Sequence, residues 1–129
     1  MSRRHVLLID DEDDIREVVA LSLQAIGGWQ VSSAGGGAAG IEMARAEHPD
    51  AILLDVTMPD VDGPETLRRL QADPQTQDIP VIFLTAKAQH ADRASFEGLG
   101  VRGTVTKPFD PMTLADEIDT MLNEGDGTP

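Results

Sequence analysis

Residues 5–14 read HVLLIDDEDD: the apolar run Val6 to Ile9 stops at five consecutive acids, Asp10 to Asp14. A short, uninterrupted apolar run suits a strand buried on both faces, as in a parallel sheet. Two later segments repeat the pattern. AILL (51–54) ends in Asp55, and PVIFL (80–84) ends in Thr85. Two weaker runs, WQVSS (29–33) and GTVT (103–106), are more polar and predict strands near sheet edges; the second is followed by Lys107.

Helical spacing fills the intervals. Ile15, Val18, Val19, Ser22 and Ile26 follow a 3.6-residue period, with Asp13 or Asp14 as N-cap and Gly27-Gly28 as the stop. Ile41, Ala44 and His48 repeat across 38–47. Pro64 sits at a first helical position before Leu67 and Leu70. A further helix is expected across 91–99, with Phe96 and Leu99 inward. Asp110-Pro111 supplies a cap and first position for a last helix with the stripe Leu114, Ile118, Met121 and Leu122. Strictly alternating strands and helices predict an α/β, doubly wound (βα)5 fold with a five-stranded parallel sheet.

Composition sets outer limits. The chain has 129 residues and no cysteine, so one domain is expected, without disulfides or thiolate chemistry. Lys and Arg number 10 against 23 Asp and Glu, a net charge of −13. That balance argues against direct nucleic-acid binding, which rests on basic residues neutralising phosphates. No apolar run approaches the length of a signal segment or membrane span, so no membrane insertion and a cytoplasmic location are expected. The domain is expected over 1–123, with 124–129 as a flexible tail and no DNA-binding output segment.

In open α/β sheets, ligands bind beyond the carboxyl ends of the strands. The residues there are Asp10 and Asp11, Asp55, Thr85 and Lys107. Clustered carboxylates repel unless a cation or proton intervenes, and a few carboxylates suit Mg²⁺. A carboxylate can also attack phosphorus to form an aspartyl-phosphate. Asp55 is the natural nucleophile, Asp10 and Asp11 the natural metal holders, and Lys107 and Thr85 the groups that meet phosphoryl oxygens. Taken singly, each acid reads as a turn former or an acidic first helical turn. Five matching residues at four strand ends do not.

The pieces LLIDDEDDIR (7–16), LLDVTMPDVDG (53–63), FLTAK (83–87) and TKPF (106–109) resemble, in order and spacing, the receiver domain of two-component response regulators. That resemblance implies a flavodoxin-like fold with strand order 2-1-3-4-5. It implies Asp55 as phosphoacceptor from a phosphohistidine on a sensor histidine kinase or histidine phosphotransfer protein. Asp11, Asp55 and the backbone carbonyl of Thr57 would hold Mg²⁺, with Asp10 acting mainly through water. Thr85 and Lys107 would contact the phosphoryl group, and Lys107–Pro108 would be cis. Such a domain catalyses only its own phosphorylation and dephosphorylation. A downstream protein would read the face made by the fourth and fifth helices and the fifth strand. Thr104 departs from the family, which commonly has an aromatic residue there.

Two other functions fit parts of the pattern. DVT (55–57) with DVDG (60–63) faintly resembles aspartyl-phosphate phosphohydrolases, though in the wrong order and without room for a substrate cap. A receiver that binds partners without phosphate is the third. The glycine-rich run 35–40 lacks the ending of a phosphate-binding loop and reads as a loop entering a helix.

Overall fold

A computed structural model describes residues 4–86 and 98–125. Five strands, β1 (His5–Ile9), β2 (Gln30–Ala34), β3 (Ala51–Asp55), β4 (Val81–Thr85) and β5 (Gly103–Thr106), form one parallel sheet in the order β2-β1-β3-β4-β5. The three continuous apolar runs occupy the centre, and the two polar runs occupy the edges. This follows from burial: β1, β3 and β4 need apolar side chains on both faces. Alternation then sorts them. Val6, Leu8, Leu53, Ile82, Leu84 and Val105 enter one core cluster, and Leu7, Ile9, Ile52, Leu54, Val81 and Phe83 enter the other.

Helices α1 (Asp13–Ala25) and α4 (Leu114–Gly125) cover the first cluster through Val19, Leu23, Leu114, Ile118 and Leu122. Helices α2 (Gly37–Glu47) and α3 (Gly63–Ala72) cover the second through Ile41, Ala44, Leu67 and Leu70. The doubly wound α/β fold expected from the alternation is therefore the fold observed. Most of the helix expected across 91–99, including Phe96, lies outside the described residues. Its last expected position, Leu99, sits in a turn and is exposed.

Local details differ from the periodic reading. Helix α1 takes Glu12 as its N-cap, without a side-chain cap bond, and places Asp13 and Asp14 in its first turn, where the helix dipole favours them. Its buried residues are Val19, Ser22 and Leu23, whereas Val18 and Ile26 are exposed. His48 does not continue the α2 stripe; it caps the helix in the left-handed region, with φ of 48°. Asp110 and Pro111 do not open the last helix. Asp110 accepts the Met112 N–H at 2.9 Å in a turn, and α4 starts at Leu114. The backbone helix of α4 covers 124 and 125, the first two positions of the expected tail.

Gly63 ties α3 to the end of β3. Its N–H donates to the Val56 carbonyl at 2.9 Å. A Cβ there would lie 2.6 Å from both the Asp55 carbonyl oxygen and Val56 Cα, backbone atoms that cannot rotate away. Gly63→Ala is expected to destabilise the domain by about 2 kcal/mol through overpacking. A urea midpoint equal to wild type would contradict this.

Candidate functional site

The sheet topology brings the strand ends to one edge. β1 and β3 are neighbours, so Asp10 and Asp55 leave the sheet side by side; β4 and β5 follow with Thr85 and Lys107. Asp10, Asp55 and Thr85 are buried, while Asp11 and Thr57 are exposed. Asp11, Glu12, Asp55, Thr57, Met58, Pro59, Ala86 and Lys107 line an open cavity of about 410 Å³.

Lys107 is the hub. Its Nζ lies 3.2 Å from Asp10 Oδ2, 3.4 Å from Asp55 Oδ1 and 3.7 Å from Glu12 Oε1. Its backbone N–H donates to the Thr85 carbonyl at 2.8 Å, so β4 carries both Thr85 and the support for Lys107. The Lys107–Pro108 bond is cis, as the resemblance implied.

The electrostatics match the crowding. The Asp55 carboxyl is pushed up to about 6. Burial is the main cause and the Asp10 carboxylate adds to it; the Lys107 ammonium and the Thr57 N–H act in the opposite direction. Burial works against the Lys107 charge, yet the Asp10 and Asp55 carboxylates outweigh it and hold the ammonium above the ordinary lysine range.

Two buried oxygens, Asp10 Oδ2 and Asp55 Oδ2, receive no hydrogen bond among the described residues. With an Asp11 carboxylate oxygen, the trio offers ligand atoms within 4.8 Å of one another. The Lys107 ammonium lies 3.2 Å from Asp10 Oδ2, whereas Asp55 Oδ2 has no partner among the described residues; the three carboxylates could hold a hard cation, and the donor set fits Mg²⁺. Asp10, Asp11 and Asp55 are therefore brought together, with Thr57 on the same cavity wall. Glu12 was not singled out from the sequence. Its signal was the unbroken acid run, which does not distinguish a solvated first turn from a contact with Lys107.

A family model for the response regulator receiver domain matches residues 6–119. The chain belongs to this family. Receiver domains act as phosphorylation switches in two-component systems. PilH of Pseudomonas aeruginosa is 36% identical over 117 residues, which are 91% of this chain and 96% of PilH. RpaA of Synechocystis, described as a DNA-binding dual master transcriptional regulator, is 36% identical over 96% of this chain and 51% of its own length. The receiver spans about half the length of several curated relatives it matches. The chemotaxis response regulator CheY4 of Vibrio cholerae has a similar structure, with a TM-score of 0.86 at 28% identity, covering 93% of this chain and 99% of that one. Among the described residues, no helix is long and apolar enough to cross a membrane.

Proposed function

We propose that this receiver is switched by phosphorylation of Asp55, with Mg²⁺ held by Asp11, Asp55 and the Thr57 carbonyl, and Asp10 bound mainly through water. The observation that carries the reading is the buried Asp10–Asp55–Lys107 cluster, with Asp55 Oδ2 left without a partner among the described residues. The phosphoryl donor is a phosphohistidine on a sensor histidine kinase or histidine phosphotransfer protein in the cytoplasm. Ionised Asp55 attacks phosphorus as the P–N bond breaks, and the leaving imidazole takes up a proton. Bound Mg²⁺ would supply charge neutralisation for the phosphoryl oxygens. Lys107, already held between the two carboxylates, shifts its ammonium toward the added oxygens. The Thr85 hydroxyl offers a further hydrogen bond.

The Asp55 environment also favours reaction. Its oxygens are shielded from bulk water by burial, so the chain has replaced hydration with one fixed ammonium and one backbone N–H. Water that later hydrolyses the acyl phosphate enters through the open cavity at Asp11 and Thr57. Self-phosphorylation and self-dephosphorylation are the only chemistry proposed, and output passes to a downstream protein through the face that includes β5 and α4.

Intact-mass spectrometry after incubation with acetyl phosphate tests the reading. One phosphoryl adduct is expected with Mg²⁺ and none with EDTA. In parallel, Mg²⁺ is expected to raise the melting temperature, by an amount that keeps growing with the logarithm of its concentration above the dissociation constant. An adduct formed equally well in EDTA would overturn the metal assignment. Absence of an adduct, together with no thermal shift from Mg²⁺ and beryllofluoride, would overturn the switch.

A further inference from the structure

Two features of the sequence have no part in the chemistry above: the glycine at 35, and the arginine that ends LLIDDEDDIR. The fold brings them together beside the cation site. Arg16 stands in α1, and its Nη1 donates to the Asp10 backbone carbonyl at 2.7 Å. Its Nη2 pairs with the Asp13 carboxylate. The guanidinium is thus anchored at both ends, and its side chain is mostly buried. Gly35 follows β2 and leaves room for it: a Cβ on Gly35 would lie 3.3 Å from Nη1. The Gly35 backbone is outside the left-handed region, so clearance for Arg16 is the constraint the structure shows at this position.

The contact falls where the cation site needs support. The Asp10 N–H donates to the Ala34 carbonyl at 3.1 Å, and Asp10 Oδ1 accepts the Glu12 N–H at 2.9 Å. Arg16 completes the set by fixing the carbonyl. The peptide unit between Asp10 and Asp11 is planar, so fixing that carbonyl also fixes the direction in which the chain leaves toward Asp11. Asp11 needs such help: among the described residues, no hydrogen bond or ion pair holds its carboxylate. Its placement rests on its backbone.

We propose that Arg16 is a positioning residue for the cation site: it sets the Asp10–Asp11 peptide and so aims both carboxylates, with Gly35 providing its clearance. Arg16 touches neither the cation nor the phosphoryl group. The proposal rests on the assignment of Mg²⁺ to Asp10, Asp11 and Asp55. Residues that orient ligands without binding the metal typically change affinity by about 10- to 100-fold when lost.

The test is calorimetric titration of Mg²⁺ into wild type, Arg16→Met, Arg16→Lys and Gly35→Val. The Mg²⁺ dependence of acetyl phosphate labelling is measured alongside. Arg16→Met is expected to raise the Mg²⁺ dissociation constant about 10-fold. Its labelling midpoint shifts by the same factor, while the maximal rate at saturating Mg²⁺ is unchanged. Arg16→Lys recovers part of the affinity, because one ammonium reaches the carbonyl but does not span to Asp13. Gly35→Val keeps the arginine, crowds its guanidinium and weakens Mg²⁺ in the same direction. Wild-type Mg²⁺ affinity in folded Arg16→Met overturns the proposal, as does a lowered maximal rate at saturating Mg²⁺. Should Arg16→Met not fold, Arg16→Lys and Gly35→Val decide by the same criterion. Failure of wild type itself to bind Mg²⁺ would instead overturn the functional reading on which the proposal rests.

Discussion

Asp55→Asn is expected to yield no phosphoryl adduct under conditions that label wild type, because an amide oxygen is a poor nucleophile and cannot form a stable acyl phosphate. The same substitution is expected to stabilise the metal-free domain. Asp55 has a folded-state pKa of about 6, above its ordinary 3.8. The folded state therefore binds the proton more tightly than the unfolded state. The stability linked to that proton is fully present below about pH 4 and is lost as pH rises through about 6. At pH 7 the ionised Asp55 is a cost that asparagine does not carry. Asp55→Asn is thus expected to be more stable than wild type by about 2 kcal/mol in EDTA at pH 7, with the gain shrinking toward pH 4. Urea titrations at several pH values measure this. An adduct on the variant would move the phosphoacceptor elsewhere. Equal stability at pH 7 would mean that Asp10 repulsion and burial do not strain Asp55.

Lys107→Ala carries the second large effect, and it splits three ways. The ammonium lies within 3.4 Å of both Asp10 and Asp55. Removing it leaves two buried carboxylates uncompensated, which typically costs about 3–5 kcal/mol. In EDTA the variant is expected to lose about 3 kcal/mol of stability by urea unfolding. Its phosphorylation is expected to slow by about 100-fold or more, because a positioned donor to the developing phosphoryl charge is gone. Mg²⁺ affinity moves in the opposite direction. Without the competing ammonium the site is more negative, so Mg²⁺ binds more tightly and restores part of the lost stability. Calorimetry that finds weaker Mg²⁺ binding in a folded Lys107→Ala would contradict the electrostatic account. Labelling at the wild-type rate would remove Lys107 from the chemistry.

These two residues also show how much of the site is legible in one dimension. Asp55 could be read as special because a buried apolar run ends on it, and the run itself marks a central strand. Lys107 follows a run too polar to demand burial, and its importance came from the order of motifs. Glu12 carried no signal of its own among five acids, although its Oε1 reaches 3.7 Å from Lys107. Arg16 was equally silent, since an arginine in a helix ordinarily reads as a solvated side chain.

The sequence alone determined the fold class, because continuous apolar runs alternating with helix-period segments fit strands buried on both faces of a parallel sheet. It determined the central and edge strands for the same reason: polarity in WQVSS and GTVT is tolerable only where one side meets solvent. It also determined which residues gather at the carboxyl edge of the sheet, since each lies at the end of a strand. Tertiary structure decided the rest. Packing of α1 against the sheet and α4 set which face turns inward: Val19, Ser22 and Leu23 are buried, whereas Val18 and Ile26, which the stripe read from the sequence placed inside, are exposed. The turn at Asp110 took up the cap that periodicity assigned to the last helix, because its carboxylate bonds the Met112 N–H locally. The division of labour among the acids was settled by depth. Asp10 and Asp55 are withdrawn from water and held against Lys107, Asp11 is left exposed at the rim, and only three-dimensional proximity turns those charges into a raised carboxyl pKa and a place for a cation.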